Sequence, residues 1–493
     1  MTRPLIPGFN PDPSVVRVGD DYYLVTSSFE YLPGLPVYHS TDLRDWRQIG
    51  HVATRPEQVE LDQIPTPGGV WAPTLRHRDG LFHLVVTVFL GGRGCVVFTA
   101  TDPAGPWSDG VSIPAVDGID PDLAWDDDGT AIITFARHPD PIQQVRVDLT
   151  TGRAIDTPRP VWAGSGGCSP EGPHLYRRGA WWYLVVAEGG TDRGHAVTVA
   201  RARRPDGPFE SCPGNPVLTA AGTGRPEQNL GHADLVETDS GTALVCLGVR
   251  PVGLGQSFSP LGRETFLADV DWADDWPSAR LTELPPAPDE EVTYDLGAPD
   301  ALTDPVWIAV RQLPGAVATP TPDGLLIRRT SGHTGLDGPR PAFVGRRQRH
   351  LGAVVSAVFD VREGRGGRGG LAFRNAEDNL VALEARATAT GVEVEARVVV
   401  AGFDRTWHAT LPCGDVELTI ASAPPPSDFS AGAVGGDRIR LTARVADDDV
   451  TLAELDGRHW CFETAKAFTG RVVGPFATEG AVRVRRLRYS GRS

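Results

Sequence analysis

The sequence predicts an all-β protein in which a five-bladed β-propeller is followed by an antiparallel β-sandwich of the concanavalin-like jelly-roll type. One hairpin-like pattern recurs five times between about residues 5 and 280, which is typical of a propeller. Short segments that alternate apolar and polar residues follow after about residue 300 and indicate a sandwich. Helical periodicity is weak throughout, so an α/β fold is disfavoured.

The repeated unit is a hairpin of two strands around a tight polar turn. It occurs as NPDPSVVRVGDDYYLVTSS from Asn10, VWAPTLRHRDGLFHLVVTV from Val70, GIDPDLAWDDDGTAIITFA from Gly118, SPEGPHLYRRGAWWYLVVA from Ser169 and LGHADLVETDSGTALVCLG from Leu230. Further short strands follow each hairpin, and four strands in about 50 to 60 residues are typical of one propeller blade. Five such units predict a propeller of five blades.

We expect three segments along the chain. Residues 1–285 form the propeller, residues 286–304 a linker rich in proline and acidic residues, and residues 305–493 the sandwich. The sandwich segment has no acidic cluster that aligns with the repeat. We therefore expect the chemistry to lie in the propeller, and the sandwich to pack against it and narrow its pocket.

Charge and apolar patterning exclude several classes of partner. The 47 Lys and Arg residues against 63 Asp and Glu residues give a net charge of -16, which repels nucleic acid on average.

The sequence has neither a run of 18 apolar residues nor an apolar signal segment at its start, so we expect a cytoplasmic protein that does not span a membrane. Six cysteines without a C-x-x-C pair are expected to be free thiols. A small neutral substrate fits this composition best, and the oligomeric state, a homo-oligomer included, is left open.

Equivalent positions of the five repeats identify a candidate site. The residue that opens the innermost strand of each blade faces the central channel at one end, so these positions converge. They are occupied by Asp12, Trp71, Asp120, Glu171 and His232. An aspartate before a proline also caps turns. That interpretation does not explain why the residue becomes Glu, Trp or His in the other repeats.

Three carboxylates around one pocket have the chemistry needed to hydrolyse a glycosidic bond. One carboxyl group must be protonated to donate to the leaving oxygen, and another must be ionised to activate water. Like charges close together raise at least one pKa, so a carboxyl group stays protonated near neutral pH. Phe29, Tyr31 and Trp71 suit the apolar face of a sugar ring, although an aromatic residue is more often part of a core.

Several longer motifs occur together in the chain: IPGFNPDPS, GGVWAPTLRHRDG, GIDPDLAWDDDG, PEGPHLY, GHADLVET and GRETFLADVDW. In this combination the sequence resembles glycoside hydrolase family 43, in the branch of exo-acting β-xylosidases and α-L-arabinofuranosidases. The resemblance spans the chain, because these enzymes pair a five-bladed propeller with a carboxy-terminal β-sandwich. It implies an inverting exo-glycosidase that acts on short xylo- or arabino-oligosaccharides and requires no cofactor.

The resemblance also implies roles for individual residues. Asp12 would be the general base, Asp120 the residue that adjusts the acid's pKa and orients it, and Glu171 the general acid. Arg263 would bind the non-reducing sugar, with Phe29 and Trp71 lining that subsite. In many relatives the histidine of GHADLVE approaches a calcium ion through water, which makes His232 a candidate for that contact; the alternative is a histidine that is simply hydrogen-bonded.

Two departures from the family pattern affect the rim of the pocket. Thr74 stands where relatives often carry an acid, and a serine stands where an aromatic residue often precedes the PEG motif. The sequence therefore leaves open the preference for the leaving group, the choice between xyloside and arabinofuranoside, and the contribution of the sandwich to the pocket. A carbohydrate-binding propeller without catalysis and a protein-interaction platform are the alternative functions.

Overall fold

The computed structural model describes residues 1–361, 367–426, 434–465 and 467–492. Most of these residues lie in β-strands or the turns between them, and short 3₁₀ helices occur at Pro56–Gln58, Pro314–Ala316 and Gly457–His459. The predicted all-β fold is confirmed. In the described parts of the chain no helix is both long enough and apolar enough to cross a membrane. The six cysteines are free, as expected.

Five separate antiparallel sheets form the blades of the propeller. The first five strands are β1 (Ser14–Val18), β2 (Asp21–Val25), β3 (Tyr31–Leu32), β4 (Gly34–Ser40) and β5 (Arg47–Ala53). Blade one has the strand order β1-β2-β4-β5, whereas β3 leaves the blade. Blade two consists of β6 (Gly69–Arg78), β7 (Leu81–Phe89), β8 (Gly94–Ala100) and β9 (Val111–Ser112).

The remaining three blades follow in chain order. Blade three consists of β10 (Ile119–Trp125), β11 (Ala131–Ala136), β12 (Ile142–Asp148), β13 (Arg153–Ala154) and β14 (Arg159–Trp162). Blade four consists of β15 (Glu171–Arg178), β16 (Trp181–Glu188), β17 (Ala196–Ala202), β18 (Glu210–Ser211) and β19 (Leu218–Thr219). Blade five consists of β20 (Gln228–Thr238), β21 (Gly241–Val249), β22 (Glu264–Ala273) and β23 (Trp276–Leu281). The predicted five-bladed propeller is confirmed.

The predicted hairpins are the first two strands of each blade. In blade two the turn between β6 and β7 is formed by Asp79 and Gly80, which both have positive φ, of 52° and 75°. Two such residues give the type I′ turn, whose twist matches that of the flanking strands. The first strands β1, β6, β10, β15 and β20 contact one another in a closed ring around the channel. The starts of these strands therefore meet at one end of the channel.

Two eight-stranded sheets form the sandwich. Its strands are β24 (Glu290–Tyr294), β25 (Ile308–Val310), β26 (Ala318–Thr321), β27 (Gly324–Arg328), β28 (Ala342–Arg347), β29 (Gly352–Asp360), β30 (Arg368–Ala376), β31 (Asn379–Ala387), β32 (Val392–Val400), β33 (Phe403–Leu411), β34 (Val416–Ala423), β35 (Arg438–Val445), β36 (Asp448–Asp456), β37 (Val472–Glu479) and β38 (Ala481–Arg492). One sheet has the order β26-β27-β38-β29-β34-β35-β36, with β24 on β38; the other has the order β3-β25-β28-β37-β30-β31-β32-β33. Alternating apolar side chains of both sheets form the core between them.

The segment that connects the propeller to the sandwich contains a β-strand. The last propeller strand ends at Leu281, and the predicted linker, residues 286–304, contains β24. This strand pairs with β38 of the sandwich, so part of the segment belongs to a sandwich sheet. The division into residues 1–285, 286–304 and 305–493 stays a prediction.

Strand β3 joins the propeller segment to the sandwich. Its residues Tyr31 and Leu32 pair with β25, so that the outer edge of one sandwich sheet is made by a loop of blade one. Beside it, Glu30 forms a fully buried ion pair with Arg374 of the sandwich, at 2.7 Å. Phe29 in turn exchanges two backbone hydrogen bonds with Val70, of 2.9 and 3.0 Å. Phe29 is thereby fixed between two blades and the sandwich.

Candidate active site

The opening residues of the five inner strands surround one pocket at the end of the channel. The inner strands of blades two to five have irregular register near this point. Asp12, Asp120 and His232 have positive φ, of 54°, 52° and 46°, which is uncommon for residues other than glycine. Irregular register and such backbone angles redirect a side chain out of the normal alternation of a strand. The pocket is lined by Asp12, Phe29, Trp71, Ala72, Ile119, Asp120, Glu171, Thr191, His232, Arg263 and Phe468.

The structure thus brings together all seven residues that the sequence singled out for the site: Asp12, Phe29, Trp71, Asp120, Glu171, His232 and Arg263. Their individual roles stay predictions. Tyr31, also considered as a sugar platform, is fully buried in β3 and packs in the core shared with the sandwich. It is therefore a core residue, the alternative that the sequence left open.

Asp12 is a buried carboxylate with fixed positive charge beside it. Arg263 donates a hydrogen bond from Nη1 to Asp12 Oδ1 at 3.1 Å, and the Ser27 hydroxyl donates to Oδ2 at 2.5 Å. The Nδ1 atom of His232 lies 3.7 Å from Oδ1. Burial raises the pKa of Asp12, but the charges of Arg263 and His232 and the Ser27 hydrogen bond lower it more, so the pKa lies below its ordinary value. Asp12 is ionised near neutral pH, as a base must be.

Asp120 and Glu171 form a pair with the opposite property. Burial and the charges of Glu171 and Asp12 raise the pKa of Asp120 well above its ordinary value. Its carboxylate accepts a hydrogen bond from the backbone N–H of Gly172, next to Glu171, at 3.0 Å. Because two neighbouring buried carboxyl groups do not both ionise, this pair retains a proton at a pH where Asp12 has none.

Glu171 is the member of the pair that faces solvent. Its side chain is 19% exposed, and its Oε2 atom lies 3.6 Å from Nε2 of His138. Burial raises the pKa of Glu171, but the contact with His138 and the charges of nearby histidines lower it more, so the pKa lies below its ordinary value. In the free protein the shared proton is therefore held by Asp120, and Glu171 is the carboxyl group placed to pass a proton to a group at the mouth of the pocket.

Arg263 supplies a fixed donor array in the pocket wall. Besides Asp12, its guanidinium donates to the Thr191 hydroxyl at 3.1 Å and to the Phe468 carbonyl at 3.4 Å. The buried Nε atom has no hydrogen-bond partner among the described residues. A buried donor without a partner costs free energy unless a ligand or water satisfies it. This N–H is suited to a hydroxyl group of a sugar.

Aromatic side chains form the apolar wall. Trp71 packs against Phe89, with ring centroids 4.3 Å apart, and meets Phe468 edge-on at 5.3 Å. Its indole N–H donates to the Pro67 carbonyl at 3.1 Å, which fixes the ring. Phe29 and Phe468 lie 6.0 Å apart and both flank the Arg263 guanidinium. Phe468 belongs to the sandwich part of the chain, which therefore contributes directly to the pocket.

Sequence reasoning missed three residues at this site: Thr191, His138 and Phe468. Thr191 lies in the AEGGT motif, and Phe468 opens the FTG stretch of the sandwich; a search of motifs for side chains that could reach the pocket would have found both. His138 lies in the loop after β11, outside the aligned part of the repeat. Its place beside Glu171 is visible only in three dimensions.

The surroundings of His232 do not fit direct ligation of calcium. Calcium prefers six to eight oxygen ligands. The titratable side chains that act on His232 are the imidazoles of His174 and His195 and the carboxyl groups of Asp12 and Glu171. Of the two carboxyl groups, Asp12 is already bonded to Ser27 and Arg263. No group of three or more His, Cys, Asp or Glu side chains suited to a metal ion occurs in the described ranges. Burial lowers the pKa of His232 to about 4, so it is neutral near pH 7. A contact with calcium through water stays a prediction, and no step proposed below uses it.

An ionised carboxylate opposite a carboxyl pair that keeps a proton, in a pocket with an aromatic wall, is the arrangement of a glycoside hydrolase. Comparison with known proteins also indicates a glycoside hydrolase. Residues 1–277 match the model of glycosyl hydrolases family 43. The chain is 40% identical over 383 residues to a non-reducing end α-L-arabinofuranosidase of Bacteroides ovatus, covering 72% of this chain and 70% of the relative. It is 36% identical over 363 residues to a xylan 1,3-β-xylosidase of a Vibrio species, covering 64% and 68%.

Solved structures give the same result. A family 43 protein from a xyloglucan PUL of Bacteroides ovatus superimposes with a TM-score of 0.89 and 32% identity over 99% of each chain. A xylan β-1,4-xylosidase from Bacillus halodurans superimposes with a TM-score of 0.85 and 28% identity over 99% of each chain. The chain belongs to glycoside hydrolase family 43. The predicted family, glycoside hydrolase activity and exo-glycosidase function are confirmed.

The hydrogen bond from Ser27 to Asp12 gives a testable pH dependence. Activity requires ionised Asp12 and falls as the pH drops through its pKa. Ser27→Ala removes a contact that lowers this pKa, so the acidic limb of kcat/KM should move to higher pH, by about one pH unit. The matched control is Ser40→Ala, since the Ser40 hydroxyl donates to Asp42 outside the pocket. An acidic limb that stays in place in folded Ser27→Ala protein would contradict the role of Asp12 as base.

Proposed function

We propose that the protein is an inverting exo-glycosidase that removes one terminal β-D-xylose or α-L-arabinofuranose from short xylo- or arabino-oligosaccharides. The observation that carries this proposal is the opposite protonation of two carboxylate sites in one pocket. Asp12 is held ionised by Arg263, while the pair of Asp120 and Glu171 keeps a proton. A base and an acid present at the same pH are what single-displacement hydrolysis requires.

Asp12 activates the water. Its carboxylate accepts a proton from a water molecule while the water oxygen attacks the anomeric carbon. The hydrogen bond of Arg263 keeps the carboxylate oriented, and burial keeps competing solvent away from it. In a single displacement the water attacks the face opposite the leaving group, so the released sugar has inverted configuration.

Glu171 donates the proton to the departing oxygen. The acid must lie where the leaving group exits, and the more exposed side chain of Glu171, 19% against 6% for Asp12, fits that position. A bound sugar excludes water from the Glu171 carboxyl and favours its neutral form, so the proton moves to it from Asp120. Asp120 then carries the charge, and the N–H of Gly172 stabilises it.

The wall of the pocket favours a single terminal sugar. Trp71, Phe29 and Phe468 line it with apolar faces, and Arg263, whose Nε–H has no partner among the described residues, supplies polar donors to the same wall. Because Phe468 comes from the sandwich, the sandwich narrows the pocket and supports exo action. The two relatives described above are named as an arabinofuranosidase and a xylosidase, which supports a pentose in this subsite.

A panel of nitrophenyl glycosides tests the sugar. We expect the β-D-xylopyranoside or the α-L-arabinofuranoside to dominate and the hexosides to be poor substrates, because the pocket is closed by three aromatic rings and Arg263. The measurement is kcat/KM for each glycoside under the same conditions. Faster turnover of a β-glucoside than of either pentoside would refute the proposed substrate class.

Substrates with different leaving groups distinguish the role of Glu171 from that of Asp12. Protonation matters most for a basic leaving oxygen, as in xylobiose or an arabino-oligosaccharide, and little for nitrophenolate. Glu171→Ala should therefore lose about 10² to 10⁴ in activity on the oligosaccharide and much less on the aryl glycoside. Asp12→Ala should lose a large and similar factor on both substrates, because both need activated water.

The control for this experiment is Glu210→Ala, which removes an exposed glutamate of the same blade. It should leave both activities unchanged. Equal losses for Glu171→Ala on both substrates, measured on folded protein, would falsify its assignment as the acid. Variants that lose stability but keep wild-type activity on both substrates would show that the carboxylates only cap turns. Sugar binding without hydrolysis of any glycoside by the wild type would support the alternative of a carbohydrate-binding propeller.

A further inference from the structure

A histidine that the proposed reaction does not use lies beside the acid. His138 is in the loop between β11 and β12, and its Nε2 atom is 3.6 Å from Oε2 of Glu171. The pairing of Ala136 with Ile119 places this loop at the same end of the blade as Asp120. The side chain of His138 is 36% exposed, so one face meets solvent at the mouth of the pocket.

The loop that carries His138 is anchored rather than free. The N–H of Asp140 donates to the carbonyl of Arg137 at 2.7 Å and closes a turn around the histidine. Arg137 forms an ion pair at 3.1 Å with Asp117, in the segment that leads to Asp120. These contacts connect the turn that carries His138 to the segment that leads to Asp120.

We propose that His138 is a positioning residue for the acid: its imidazolium holds the Glu171 carboxylate at the mouth of the pocket and competes with the catalytic proton for it. This inference rests on the proposed function, in which Glu171 is the acid. In the resting state Glu171 is ionised and paired with His138. In the reactive state Glu171 carries the proton and the ion pair is lost.

The electrostatic surroundings agree with this competition. The contact with Glu171 and the charge of that carboxylate raise the pKa of His138, against an opposing effect of burial. Arg137 and Asp140, the charged neighbours in the same turn, interact with Asp117 and with each other. Across the pocket, His195 and His232 also act on Glu171, but burial lowers their own pKa values. Near neutral pH His138 is therefore the histidine whose charge reaches the acid.

The pH profile on a disaccharide tests the inference. A proton must be available to the acid, so kcat/KM on xylobiose or an arabinobiose falls as the pH rises through the range in which the pair of Asp120 and Glu171 loses its shared proton. His138→Gln keeps a hydrogen-bond donor but removes a charge that favours the fully ionised pair, so the alkaline limb should move up by about half to one pH unit. His138→Lys restores a permanent charge and should return the limb to its wild-type position or below it.

A matched control and a second substrate keep the result specific. His408 lies 3.5 Å from Glu395 on the sandwich, so His408→Gln removes a similar pair outside the pocket and should leave the profile unchanged. On the nitrophenyl pentoside, which needs little protonation of its leaving group, the effect of His138→Gln should shrink.

If wild-type activity on the disaccharide depends on Glu171 but the His138→Gln and wild-type profiles superimpose, the inference is overturned and the proposed function stands. If Glu171→Ala leaves disaccharide activity intact, the proposed function fails and the inference fails with it.

Discussion

The guanidinium of Arg76 lies in the central channel and ties the inner strands of the propeller together. It donates hydrogen bonds to Asp122 of blade three at 2.6 Å and to Asp234 of blade five at 3.0 Å, and it lies 3.1 Å from His174 of blade four. Asp234 in turn accepts a hydrogen bond from the Ser14 hydroxyl of blade one at 2.5 Å. The guanidinium of Arg76, whose side chain is 14% exposed, thus links all five blades. Removing it would leave two buried carboxylates uncompensated, which is strongly destabilising.

This cluster lies one layer below the pocket, on the same strands that carry the site. Comparing the buried carboxyl groups of this cluster with those of the pocket shows what sets their protonation. In the lower layer Arg76, His174 and the hydrogen bonds of Ser14 and Tyr176 together outweigh burial and lower the pKa of Asp234 to about 2. In the pocket Arg263, His232 and Ser27 together lower the pKa of Asp12, whereas among the described residues no cation is hydrogen-bonded to Asp120 and its pKa rises. The placement of the two arginines therefore helps to decide which carboxyl groups ionise and which pair keeps a proton.

Repetition made much of this predictable from the sequence. Asp12, Asp120, Glu171, His232 and Trp71 occupy one repeat position, and a closed ring of blades forces equivalent positions to converge. The resemblance to a known family supplied Arg263, which the repeat did not indicate, and placed Phe29, already considered as an aromatic platform, in the sugar subsite.

The remaining features depend on contacts that leave no local pattern. Strand β3 has two residues, too few for periodicity, and exists because β25 of the sandwich pairs with it. Phe468 reaches the pocket from a segment more than 200 residues beyond the last catalytic carboxylate in the sequence. His138 lies in a loop whose sequence carries no repeat signal, and its position follows from the pairing of β10 with β11. These residues became visible only in the folded chain.

The central claim is that Asp12 activates water and does not itself attack the sugar. Proton NMR of the first sugar released from the preferred pentoside, recorded before mutarotation, measures this directly. The account predicts that the nascent sugar has the anomeric configuration opposite to that of the substrate. Release of a sugar with retained configuration would contradict it, because Asp12 would then be a nucleophile that forms a covalent intermediate.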